Sequence, residues 1–363
     1  MRFGKLVLPA LVTLILAGCG PETSVASKEA ALEEPIAGGT KHVTVMSRNL
    51  YLGADLMPIA SATTLEEFLV AVTAAWGTVQ ANDFRVRAEA LADEIAAARP
   101  ALVGLQEVYT WRTDYPADGA ATPATQVEVD YLAVLLEELG ARGLAYRPVA
   151  SVELSDIEAP TLLGIDVRMT DHGVILASDL VAETAVVAQR AFLPDHTLSF
   201  PTVAGAIPVP RGFVAVDAKV RGEWIRFAST HLEAYHPLLR MAQAAELAGF
   251  LGADPRPTIV VGDLNSLPGS EGHAVLAAAG FQDLWATLHP DEPGFTDGWP
   301  EDLSQDGELT HRYDYVLYRG LLEPITVDIV GETAADKAVT GLWPSDHAGV
   351  VGTLRMADAR FVQ

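Results

Sequence analysis

Four residues of types that bind metals or move protons each close an alternating row in the sequence. Asn49 follows Val43, Val45 and Ser47; Glu107 follows Ala101, Val103 and Leu105; His231 follows Ile225, Phe227 and Ser229; Asp263 follows Ile259 and Val261. Alternate residues of a strand share a face, so each set reads as one row of a strand running into a polar end. One such row carries no information, because a strand has to end in something polar. Four that end in Asn, Glu, His and Asp predict strand ends converging on one polar site above a packed core.

Gly262-Asp263-Leu264-Asn265-Ser266 adds a second pair. In extended backbone Asp263 and Asn265 would point the same way, with Leu264 turned to the core. Hard cations such as Mg²⁺ take carboxylate and amide oxygens of this kind. An Asx turn capping the following loop is the ordinary alternative. Nearer the C-terminus, Pro344-Ser345-Asp346-His347 precedes an apolar run, and Tyr313-Asp314-Tyr315-Val316 sets an acid inside an apolar strand. A buried carboxylate is costly unless paired. An imidazole is its natural partner, since the Asp fixes the tautomer and stabilises the charged ring. Asp314 is therefore expected to pair with His347, the alternatives being Arg312 or a backbone amide.

The elements that must position these groups follow from periodicity. Val43–Asn49, Ala101–Glu107, His172–Ser178, Gly212–Val220, Glu223–His231, Thr258–Asp263, Tyr313–Tyr318 and Ala348–Leu354 read as strands. Arg221-Gly222 makes the fourth and fifth a hairpin. Leu65–Trp76, Phe84–Ala98, Thr125–Leu139 and Leu238–Leu251 have helical spacing. The Pro-, Asp- and Gly-rich stretches 114–124, 154–171, 193–210 and 288–308 read as long loops, which in compact domains are often functional. Mixed strands with helices outside them predict an α/β or α+β layered sandwich.

Composition narrows the chemistry. The 363 residues include 24 Lys+Arg against 48 Asp+Glu, a net charge of −24, which disfavours a broad basic footprint for nucleic acid. The single cysteine excludes an intramolecular disulfide and a thiolate metal cluster. Arg2 and Lys5 precede an apolar run from Leu6 to Leu16, the pattern of a secretory signal and too short to span a bilayer comfortably. The run ends in Leu16-Ala17-Gly18-Cys19, which resembles the lipobox of bacterial lipoproteins. The resemblance implies a signal peptide over 1–18 and a lipidated Cys19 followed by a tether to residue 41, which leaves one domain over 42–363. It also implies residence in the bacterial cell envelope, outside the cytoplasm and fastened to a membrane.

The ordered set Arg48-Asn49-Leu50, Gln106-Glu107-Val108, Thr230-His231-Leu232-Glu233, Gly262-Asp263-Leu264-Asn265-Ser266, Tyr313-Asp314-Tyr315-Val316 and Ser345-Asp346-His347 resembles the endonuclease/exonuclease/phosphatase superfamily, the fold of pancreatic deoxyribonuclease. The resemblance implies a four-layered sandwich, two packed mixed β-sheets flanked by helices, with divalent-metal phosphoesterase activity. It makes Glu107 the main ligand of Mg²⁺ (or Mn²⁺), with Asn49 and Asp346 beside it. Asp263 and Asn265 would orient or deprotonate the attacking water, or hold a second metal. His231 would hydrogen-bond the phosphate, and His347, oriented by Asp314, would stabilise charge or transfer a proton. His172 and Arg240 are candidate substrate contacts. The acidic composition favours a small phosphoester or lipid headgroup over a long nucleic acid, and no protein partner can be inferred. A nuclease acting on DNA or RNA, with Arg48, Arg112 and Arg312 as a local track, is one alternative. A non-catalytic, lipid-anchored phosphate-ligand binding protein is another.

Overall fold

The computed structural model describes residues Lys41–Met356. The expected leader, Cys19 and all of the tether but Lys41 lie outside the described residues. Strand β1 (His42–Asn49) is followed by α1 (Met57–Ser61), α2 (Leu65–Ala81) and α3 (Phe84–Ala98). Strands β2 (Leu102–Gln106), β3 (Thr110–Asp114) and β4 (Gln126–Asp130) lead to α4 (Tyr131–Ala141). Next come β5 (Tyr146–Pro160), β6 (Asp166–Ser178) and β7 (Val181–Ala191), then a small hairpin of β8 (Leu198–Thr202) and β9 (Gly205–Val209). Strands β10 (Gly212–Val220) and β11 (Glu223–His231) precede α5 (Pro237–Gly252), β12 (Thr258–Asp263), α6 (Glu271–Ala278), β13 (Gln282–Asp283) and α7 (Leu284–Leu288). The described chain closes with β14 (Asp314–Arg319), β15 (Leu322–Val330) and β16 (Gly349–Met356).

Two mixed sheets carry the architecture. The first runs β15-β16-β1-β2-β6-β3-β4, with β5 on the other edge of β6; the second runs β13-β14-β12-β11-β10-β7. β1 pairs with β2, and β11 with β12, in parallel. Val43, Val45, Leu102 and Ile175 of the first sheet pack against Val214, Phe227, Ile259 and Val261 of the second. The outer face of the first sheet, with Met46, Val103, Leu105 and Leu176, is covered by Phe84, Leu91 and Ile95 of α3 and Leu135 of α4. The outer face of the second, with Phe213, Ala228 and Val260, is covered by Ala244, Leu247 and Leu251 of α5 and Leu276 of α6. The result is the four-layered α/β sandwich. At Gly104 the sheets come so close that a Cβ would stand 2.3 Å from Val261.

Local sequence explains the boundaries. Thr64 and Glu67 form a reciprocal capping box that starts α2, and α3 ends where Arg99 turns left-handed at φ 45°. Arg221 and Gly222 both have positive φ, 50° and 88°, as the two-residue β10–β11 hairpin requires. Three expectations fail. The stretch 154–171 is not a loop but most of the β5–β6 hairpin, where Ile157 and Met169 share one face while Asp156 and Arg168 form an ion pair on the other. Alternation rather than Pro and Gly content was the signal there. Residues 193–210 likewise hold the β8–β9 hairpin. The helix expected from Thr125 begins only at Tyr131, because Asp130 caps it by accepting from Ala133 N–H, and the residues before it form β4.

Candidate active site

Strand register brings the predicted chemistry abreast. His231 is the pairing partner of Asp263, and Asp263 that of Asp314, on three neighbouring strands. Three of the four rows face the space between the sheets: Val43 and Val45 before Asn49, Ile225 and Phe227 before His231, Ile259 and Val261 before Asp263. The fourth row faces the other way, since Val103 and Leu105 pack under the helices. Glu107 reaches the site because its backbone turns left-handed at φ 56° just beyond β2. That conformation is unfavourable for a non-glycine residue and is typical of positions held for function. Gly262 is fixed by a related constraint: at φ 145° a Cβ there would stand 1.9 Å from the Thr230 carbonyl oxygen.

Asp263 lies at the centre. His231 Nε2 stands 3.4 Å and His347 Nε2 3.8 Å from its Oδ2, to which Asn49 Nδ2 also donates at 3.4 Å. Burial pushes the Asp263 carboxyl up to about 8, Asp314 and Glu107 adding to the shift and His347 opposing it. Asn265 is not extended beyond Asp263; at φ 48° its N–H closes an Asx turn on Asp263 Oδ1 at 2.8 Å. Its Nδ2 donates to the Leu232 carbonyl oxygen, and the residue still lines the cavity.

The two imidazoles differ sharply. Arg211 Nη1 lies 3.0 Å from His231 Nδ1. A guanidinium only donates, so Nδ1 must accept and the proton sits on Nε2. Burial first, then Arg211 and His347, hold His231 well below the usual histidine value. His347 Nδ1 pairs with Asp314 Oδ2 at 2.7 Å, while Arg312 pairs instead with Asp283 at 2.9 Å. Burial works against charge on His347, but Asp314, Asp346 and Asp263 outweigh it and hold the ring well above the usual value. Asp263, Asp314 and His347 also present atoms within 4.8 Å of one another. With its ring held charged, His347 joins the two carboxylates in an ion-pair network, which a cation could enter only by displacing a ring proton.

The candidate metal groups Glu107 and Asp346 line the same cavity as Asp263 and the two imidazoles. Glu107 is oriented by Asn49 Nδ2 at 3.1 Å and Leu52 N–H at 2.7 Å. Asn49 Oδ1 accepts from Tyr51 N–H at 2.9 Å, so its amide nitrogen, not its oxygen, faces Glu107. Asn49 thus acts here as a positioning residue. Burial pushes Asp346 up to about 7, with the negative charge of Glu107 and Asp297 adding and His347 and Arg87 opposing. The two carboxylates, Glu107 and Asp346, are hard-oxygen donors that fit Mg²⁺ or Mn²⁺.

Several groups were not foreseen. Arg87, fully buried, donates to the carbonyl oxygens of Leu50, Tyr51, Asn82 and Pro344 and so ties the loop after Asn49 to the loop before Asp346. Arg48 pairs with Glu94 at 2.9 Å and also donates to the His347 carbonyl oxygen. Asp297 Oδ1 lies 3.5 Å from His347 Nε2, within the 288–308 stretch already marked as a functional loop. Arg211 was legible in principle, because the Arg221-Gly222 hairpin sets Gly212 opposite His231. Arg240 is spent on the Glu233 and Ala234 carbonyl oxygens and on Glu271, whereas His172 shares a small crevice with Glu107 and His231 and does not line the main cavity.

A family model described as the Endonuclease/Exonuclease/phosphatase family matches residues 75–347, and the chain belongs to that family. Phosphoester hydrolysis is accordingly its class of chemistry. No curated protein sequence matches the chain. Among solved structures, a family protein from Bacteroides thetaiotaomicron aligns with TM-score 0.54 at 16% identity, over 88% of this chain and 100% of that one. The mannosyl-6-phosphatase of B. thetaiotaomicron VPI-5482 aligns with TM-score 0.53 at 15% identity, over 86% and 99%. A humanized TDP2 from D. rerio aligns with TM-score 0.52 at 17% identity, over 86% and 98%. Identities this low show a shared fold alone.

Proposed function

We propose that the protein is an extracytoplasmic, divalent-metal-dependent phosphodiesterase. The observation that carries this reading is the convergence on Asp263: one buried carboxylate flanked by a neutral and a charged imidazole, lining one cavity with Glu107, which Asn49 orients from beneath it. Glu107 and Asp346 would hold Mg²⁺ or Mn²⁺, which when bound supplies Lewis-acid neutralisation of a phosphoryl oxygen. The chain's own groups do the rest. Asp263, with its carboxyl raised toward neutrality, accepts a proton from the attacking water. His231 donates from Nε2 to a non-bridging oxygen, its tautomer fixed by Arg211. His347, kept charged by Asp314, offsets negative charge as the phosphoryl group passes in line from one oxygen to the other.

A long nucleic acid is disfavoured as substrate. Two of the arginines that could have formed a track, Arg48 and Arg312, are buried in ion pairs, and Arg112 donates to Thr170 Oγ1. Export and anchoring at Cys19 rest on the lipobox-like Leu16-Ala17-Gly18-Cys19. Among the described residues no helix is long and apolar enough to cross a membrane. A panel of bis(p-nitrophenyl) phosphate, plasmid DNA, sphingomyelin and phosphatidylinositol, each with Mg²⁺ and Mn²⁺, tests the activity. Turnover of the small diester above that of DNA is expected; no turnover of any substrate would favour a binding protein. Cys19→Ala tests the anchor: the protein should leave the membrane fraction, and retention there would refute it.

A further inference from the structure

The cavity above Asp263 does not end at the polar groups. It encloses about 370 Å³, within the range of small-molecule sites, and most of its wall is hydrocarbon. The register of the first sheet shows how one surface changes character. Val167, Met169 and Asp171 alternate along β6 and share a face, with Ile157 of β5 and Trp111 of β3 on either side of Met169. Moving toward Glu107, this row passes from apolar to acidic at Asp171, whose Oδ1 is buried without a hydrogen-bond partner.

The other walls are apolar as well. Leu56 and Ile59 from the α1 region and Val72 and Trp76 from α2 line one side. The β8–β9 hairpin, whose first strand touches α1, supplies another: Phe200 pairs across the hairpin with Ile207, and both line the cavity while their neighbours Ser199, Pro201 and Pro208 are exposed. An isolated two-stranded hairpin is marginal in water, so this apolar face needs cover. Leu56, Ile59, Ile157, Met169 and Ile207 are only partly buried, unlike the sealed residues between the sheets. An apolar surface left half open and continuous with a catalytic centre is suited to part of the substrate.

We propose that the cavity houses a hydrocarbon substituent of the substrate, so that the enzyme acts on amphiphilic phosphoesters in preference to polar sugar phosphates or polynucleotides. The inference rests on the phosphodiesterase reading for the position of the phosphoester. The head lies among Glu107, His231 and His347, and the hydrocarbon runs past Asp171 toward Trp111 and the hairpin.

The test is a homologous series of alkyl p-nitrophenyl phosphates, methyl to octyl, kept below their micellar concentrations, with a phenyl ester as the flat-ring arm. Burial of each methylene should raise kcat/KM roughly fourfold until the cavity is full. Filling variants in two parts of the apolar wall, Ala60→Trp on α1, where Ala60 also lines the cavity, and Ile207→Trp on β9, should flatten the series, with a loss that grows from the methyl to the octyl ester; thermal melting of each establishes that it folds. A phenyl ester that outruns every alkyl chain would assign the cavity to an aryl group, still a hydrocarbon. Equal rates along the series, or a rise that neither variant alters, would overturn the proposal. Calorimetric titration with octyl phosphate and methyl phosphate separates the two readings. If no ester turns over yet octyl phosphate binds at least tenfold more tightly, the catalytic reading fails and the cavity assignment stands; equal affinity overturns the assignment.

Discussion

His231 and His347 flank one carboxylate, 3.4 and 3.8 Å from the same oxygen of Asp263, yet their surroundings drive them in opposite directions. On the His231 side burial and an arginine leave the ring neutral; on the His347 side three carboxylates overcome burial and keep it charged. The residue type is the same, so the division of labour lies in the neighbours. A neutral ring with its proton on Nε2 is a directional donor, whereas a charged ring is an electrostatic one. The region around His347 should therefore be sensitive to loss of negative charge, and that around His231 to loss of a single donor.

The largest effect should follow from abolishing the charge partner of His347. Asp314→Asn removes the main influence that raises the ring, and kcat should fall on the order of 10³-fold or more. The His347 pKa, followed by NMR, should drop at the same time; an unchanged pKa would break the contrast between the two rings. Next comes the support beneath both. Arg87→Ala leaves four buried carbonyl oxygens without their cation and should cost about 3 kcal/mol in denaturant unfolding, roughly a hundredfold in the folding equilibrium. A loss within experimental error would mean that the two loops hold themselves.

Arg211→Met sharpens the comparison on the other side. It removes an influence that lowers His231, so the folded-state pKa rises, and protonation, which silences Nε2–H tautomer selection, begins at higher pH. We expect about a tenfold loss in kcat/KM and an acid limb displaced to higher pH. An acid limb left in place would show that Arg211 does not set the protonation of His231. The smallest effect belongs to His172→Ala, which should change kcat/KM by less than about threefold, because the ring lines a small crevice beside Glu107 and His231 and not the main cavity.

Much of this was legible in the sequence, for identifiable reasons. Strand rows are read from period-two alternation, and the rows ending in Asn49, His231 and Asp263 lie on the inter-sheet face as alternation requires. The Glu107 row faces the helices, and its carboxylate arrives through a left-handed residue that alternation does not encode. Asp314 was conspicuous as an acid in an apolar strand, which calls for a partner. Arg87 and Asp297 act through tertiary contacts with loops distant in sequence, and no local pattern marks them. The apolar cavity was hidden for a related reason: 154–171 and 193–210 were read as loops from their Pro, Asp and Gly, whereas their alternation builds two of its walls.

The central claim is that one site, centred on Asp263 and Glu107, hydrolyses phosphodiesters with the help of a divalent ion. The direct measurement is steady-state hydrolysis of bis(p-nitrophenyl) phosphate by the full chain with Mg²⁺ or Mn²⁺, set against chelator-treated protein and Glu107→Ala. Turnover that chelation abolishes, that returning the ion restores and that Glu107→Ala lowers by at least about a thousandfold is the predicted result. Near-wild-type turnover by Glu107→Ala, or turnover indifferent to chelation, would contradict it.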